Sequence, residues 1–166
     1  MEKVFDRLCK GLEYIMALLL ALMVILVFGN VVLRYGFRSG IVISEELSRW
    51  LFVWMTFLGA VVGLNYGAHL GTEVLVKRLK GTVRKVVLSV AYLSMLFVCG
   101  LVFSGAWVQS KINLTTTSAA MEAPVAIFYA SGVVFAILAG LILVRDLVRL
   151  WMGKEAPQTL QTSQEP

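Results

Sequence analysis

The sequence predicts an all-α membrane protein: four transmembrane helices with short interfacial amphipathic helices, both termini on the cytoplasmic side. Three observations carry this. Hydrophobic residues make up 59% of the 166 positions and charged residues only 15%, with a mean hydropathy of +0.84, far from a soluble average. Four apolar runs are each long enough to cross a bilayer core of about 30 Å. With both ends inside, eleven basic residues fall on the inner face (Lys3, Arg7, Lys10, Lys77, Arg78, Lys80, Arg84, Lys85, Arg145, Arg149, Lys154) and four on the outer (Arg34, Arg38, Arg49, Lys111). That asymmetry is the positive-inside pattern.

Residues 2 to about 11 read as a short amphipathic helix, with Val4, Phe5, Leu8, Cys9 and Leu12 opposite Lys3, Asp6, Arg7 and Lys10. It can lie in the headgroup layer before the chain turns into the bilayer. Span 1 follows over about 12–33; its apolar run exceeds a signal-peptide core of about 7 to 15 residues, so it reads as retained. Asn30 and Arg34 close it, the arginine as an anchor whose stem can snorkel to the interface. After a link holding Gly36 and Gly40, Ser44 reads as an N-cap, with Glu45 and Glu46 in the first turn where carboxylates complement the helix dipole. Glu45 and Arg49 stand four apart and can pair.

Span 2 covers about 47–66. At about 100° per residue, Glu45, Arg49, Thr56, Ala60, Gly63 and Gly67 share one stripe, while Trp50, Trp54, Phe57 and Val61 share another. In lipid, small residues allow helix backbones to approach, and Gly59, Gly63 and Gly67 repeat that spacing. Residues 72–84 separate Leu75, Val76, Leu79 and Val83 from Glu73, Lys77, Lys80 and Arg84, predicting an interfacial helix. Span 3 covers about 86–108. Span 4 covers about 124–144, opening on Pro124 as a first-turn residue and carrying a small stripe at Gly132, Ala136 and Gly140. Residues 1–152 thus form one membrane domain, and 153–166 a polar tail of disordered composition.

The run Glu45, Glu46, Arg49, Trp54, Phe57, Leu58, Gly59, Ala60 and His69 resembles the signature of the small membrane subunit of tripartite ATP-independent periplasmic (TRAP) transporters, the DctQ-like family. Arg34, Tyr35, Phe37, Pro124 and Tyr129 fit the same pattern. Two positions depart from it: Asn65 stands where members often carry a basic residue, and Glu73 lies a place or two beyond their acidic residue. The resemblance implies a scaffold in the bacterial inner membrane, partnered by a large multi-span permease subunit and a periplasmic substrate-binding protein. It implies import of organic acids, C4-dicarboxylate or sialic-acid-like, with sodium bound at the large subunit. Partner-interface candidates are Glu45, Glu46, Arg49, Trp54, Gly59, Gly63, Gly67 and His69, with lipid around the rest.

Other functions fit less well. A self-sufficient multidrug-type exchanger would hold a carboxylate deep in a span, and every Glu and Asp falls near a helix end. The membrane anchor of a redox enzyme would want paired histidines or vicinal cysteines, whereas His69 is the one histidine and Cys9 and Cys99 sit at different depths. No cofactor, metal or catalytic residue is expected. The net charge of +5 does not indicate nucleic acid, because the basic residues cluster beside apolar spans.

Overall fold

The computed structural model describes residues 2–66 and 82–152. The described chain is built from four helices: α1 (Glu2–Gly36), α2 (Val42–Asn65), α3 (Thr82–Ile112) and α4 (Ala126–Trp151). Each contains a stretch long and apolar enough to cross a membrane. Gly67, His69, Glu73 and the tail expected at 153–166 lie outside the described residues. So does the interfacial helix expected over 72–84, except for its last three residues, which open α3.

The N-terminal segment is not a separate interfacial helix: α1 is continuous from Glu2 to Gly36. Gly11 is the one residue there that could interrupt it, and a helical glycine costs only about 1 kcal/mol relative to alanine. Against that cost stand contacts made by the first turns. Cys9 is fully buried, and the Phe5 ring lies under the Arg145 guanidinium at 4.7 Å.

The helices pack as two hairpins, α1 with α2 and α3 with α4, joined by packing of α2 on α4; among the described residues no other pair brings its backbones within 8 Å, and α1 reaches α4 through the side chains of Phe5 and Arg145. Burial follows that order. Only 6% of the apolar stretch of α1 and of α3 is buried, against 28% in α2 and 33% in α4, so α2 and α4 are central and the outer two present their apolar sides to lipid.

Within the second hairpin the helices approach closely at Gly132, where an added Cβ would lie 3.1 Å from the Ala106 Cβ of α3 and 3.9 Å from Phe57 of α2. The small-residue stripe of α4 therefore does pack, but it runs through buried Gly132, Ala136 and Ala139 rather than on to Gly140, which has open space around it. Helix geometry explains the change. A step of seven residues returns to within about 20° of the starting face, whereas a step of eight overshoots by about 80°.

Pro124 is not a helical residue either. It forms an isolated bridge with Thr117, and the Val125 N–H donates to the Thr116 carbonyl at 3.0 Å, so α4 starts two residues later. The buried glycine gives a test of this packing. Gly132→Leu should destabilise the protein by about 1 to 3 kcal/mol through overpacking, whereas Gly140→Ala should leave it unchanged. Thermal unfolding in detergent followed by circular dichroism distinguishes the two, and equal melting would contradict the α3–α4 approach.

Candidate functional site

Polar side chains gather at two levels, one at each end of the bundle. At the loop end, buried Asn30 on α1 organises the turn into α2. Its Oδ1 accepts the Ile41 N–H at 2.8 Å and its Nδ2 donates to Glu45 Oε1 at 3.4 Å. Arg34, one turn further along the same face, sits 3.6 Å from that oxygen, with both side chains largely exposed. Exposed pairs of this kind contribute about 0 to 1 kcal/mol, so the buried asparagine does more to hold the turn.

This arrangement corrects two expectations. Ser44 is not the N-cap, which is Ile41 in an extended conformation. The Ser44 hydroxyl instead donates to the Leu26 carbonyl of α1 at 2.7 Å, a neighbour that sequence spacing does not reveal. Glu45 pairs with Arg34 across the hairpin instead of with Arg49, because α1 supplies a cation and an amide closer than the next turn of α2 does. The left-handed residue of the link is Arg38, at φ 52°, not either glycine; it lets the Ser39 N–H return to the Leu33 carbonyl at 3.1 Å.

Glu46 points the other way, to the α3–α4 loop. Its Oε2 accepts the Ala120 N–H at 3.0 Å, and the Ser118 hydroxyl and Met121 N–H face the same carboxylate. The loop is itself tightly bonded: Ser118 N–H to Ala123 O at 2.9 Å, with Glu122 left-handed at φ 54°. Arg49 lies beside Glu46 and is exposed. Glu46 thus fastens the second hairpin to the first.

Trp54 and its neighbours continue this joint inward. The Trp54 indole N–H donates to the Ile127 carbonyl at 3.2 Å, Trp50 packs on Phe128 with ring centres 6.1 Å apart, and Phe57 on Phe135 at 5.3 Å. The aromatic face of α2 is therefore spent on α4. The small-residue stripe is not: Thr56 and Ala60 are exposed, a Cβ added at Gly59 would meet only Met16 of α1 at an ordinary 3.5 Å, and Gly63 lines an open groove.

At the opposite end Arg145 is nearly buried. Its Nε donates to Asp146 Oδ1 at 2.8 Å, an Nη donates to Asn65 Oδ1 at 2.9 Å, and its plane covers Phe5. One guanidinium thereby ties α1, α2 and α4. The adjacent charges of Arg145 and Asp146 were visible in the sequence as a span end, but the Asn65 partner 80 positions away was not.

Between these levels the described helices hold no Asp, Glu, Lys, Arg or His over positions 14–33, 50–65, 86–110 and 126–144. Such a body is a multi-pass integral membrane protein without charged groups at mid-depth. The comparisons with known proteins give its family. The model of the DctQ component of tripartite ATP-independent periplasmic transporters matches residues 23–153. A TRAP transporter small permease protein of Haemophilus influenzae is 42% identical over 139 residues, 84% of this chain and 86% of that protein. A second protein of that description from the same organism is 36% identical over 135 residues, 81% and 82% of the two chains. The C4-dicarboxylate TRAP transporter small permease protein DctQ of Vibrio cholerae is 32% identical over 95 residues, 57% of this chain and 41% of that one. The chain belongs to the DctQ family: it is a small TRAP transporter permease subunit of the inner membrane.

The Glu46 clamp is directly measurable. Glu46→Gln should leave helicity intact while hydrogen exchange at the Ala120 and Met121 amides speeds up, because a neutral amide is a weaker acceptor for their N–H groups. Unchanged protection at both amides would show that the loop is held without this carboxylate.

Proposed function

We propose that this chain braces a large permease subunit during organic-acid import and contributes no ligand to the solute or the coupling ion. The observation that carries the reading is the absence of acidic and basic side chains from the middle of the four spans. Solute and ion paths in secondary transporters place charge, broken helices or paired polar groups near the bilayer midplane. Here the four helices are unbroken through their apolar stretches, and Glu46 and Arg145 at their ends bond within the chain itself.

In this reading a periplasmic binding protein delivers the acid, the large subunit transports it using an ion gradient, with sodium as the coupling ion, and the acid is a C4-dicarboxylate or a sialic-acid-like molecule. The name of the Vibrio cholerae relative supports the first class. Both termini and the 66–85 link face the cytoplasm, as the eleven-to-four basic asymmetry supports, so the loop end faces the periplasm. The partner surface combines Arg49 at that end with the small-residue stripe at Gly59; Gly63 lines the groove between α2 and α3, and the further candidates Gly67 and His69 lie outside the described residues. Glu45, Glu46 and Trp54 support the surface from within, since each already has a partner in this chain.

Arg49 tests both halves of the proposal. In a background lacking Cys9 and Cys99, Arg49→Cys should react with an impermeant thiol reagent in intact cells. Arg49→Ala should weaken recovery of the large subunit and slow uptake while the dependence on external cation stays unchanged. A shifted cation dependence at normal complex yield would place Arg49 in a transport site and contradict the brace.

A further inference from the structure

Because the backbones of α2 and α3 stay more than 8 Å apart, the side of α4 between them is an open groove of about 540 Å³. Ala60, Gly63 and Leu64 form one wall, Met95 and Cys99 the other, and Phe135 lies in the floor. Its walls are almost wholly apolar, with small residues on the α2 side. A flexible hydrocarbon chain matches an open groove with this apolar lining.

A second observation lies along the same wall. Arg84 precedes Met95 by eleven residues, a spacing that returns an α-helix to within about 20° of the same face, about 16 Å further down the axis. That is the depth of one leaflet of a hydrocarbon core of about 30 Å. The Nε of Arg84 is buried and has no hydrogen-bond partner among the described residues. Guanidinium stays charged at any relevant pH and donates in a fork that matches phosphate, so an unpaired buried Nε calls for an anionic acceptor. The first turn of α3 supplies none, since it holds no acidic residue, and the next side chain is exposed Lys85.

We propose that the groove and Arg84 together form a site for one phospholipid. The phosphate accepts hydrogen bonds from the Arg84 guanidinium at the headgroup level, and one acyl chain runs along α3 into the groove between α2, α3 and α4. The lipid fills the space that the separation of the α2 and α3 backbones leaves, and so stiffens the angle between the two hairpins. This site is independent of which solute the transporter carries.

The full chain, purified in detergent and stripped of lipid, is titrated with phosphatidylglycerol, with diacylglycerol of the same acyl chains, and with inorganic phosphate; bound lipid is counted by native mass spectrometry. One phosphatidylglycerol should bind per chain, about tenfold more tightly than diacylglycerol, the value of one charged hydrogen bond. Arg84→Gln should bring phosphatidylglycerol down to the diacylglycerol level, and Arg84→Lys should restore most of the difference. Ala60→Phe, which fills the groove from an exposed position, should weaken both lipids. Equal binding of the two lipids, full retention in Arg84→Gln, or no effect of Ala60→Phe would each overturn the site. Displacement of the lipid by millimolar phosphate would overturn it as well, by identifying a free-anion site.

Discussion

Hydrocarbon offers no hydrophobic gain for bringing two helices together, so this protein depends on the contact of α2 with α4, which makes one body of two hairpins. Two contributions meet there. The Trp54 hydrogen bond to the Ile127 carbonyl is of a type worth about 0.6 kcal/mol inside a membrane. The tilted pairs Trp50–Phe128 and Phe57–Phe135 are each of a type worth about 0.5 to 1.5 kcal/mol. Interdigitated packing outweighs the polar bond, and the bond fixes register. Phe57 also approaches Gly132, the residue that allows α3 and α4 their close contact, so the joint and the second hairpin share a residue.

Polar groups then finish what packing starts. Asn30, Ser44 and Glu45 close the first hairpin, Glu46 takes the α3–α4 loop, and Arg145 binds three helices at the other end. Each of these groups is satisfied at a helix end, where desolvation is incomplete and partners are near. The middle of the body is left apolar. An uncharged core with exposed apolar flanks suits a small permease subunit.

The four helices and the split of α2 into aromatic and small faces were legible because both follow from local periodicity. So was the end placement of charge. Which partner each polar residue takes was not. Ser44 has the sequence context of a cap, yet a carbonyl eighteen positions earlier captures its hydroxyl. Glu45 has an arginine four residues on, yet the facing helix supplies Asn30 and Arg34. The same holds for Pro124, drawn out of the helix by Thr117, and for the first turns of α1, which tertiary contacts at Phe5 and Cys9 keep continuous. Pairings between hairpins depend on distances of seventy or eighty positions, as at Glu46 and Asn65, and no local pattern encodes them.

The central claim is that the chain supports transport without performing it. The most direct measurement is reconstitution of the purified chain alone into liposomes under an inward sodium gradient, with uptake of a labelled organic acid followed beside liposomes that also hold the large subunit and receive the binding protein. The account predicts gradient-driven accumulation with all three proteins and none with this chain alone. Accumulation by the chain alone would contradict it.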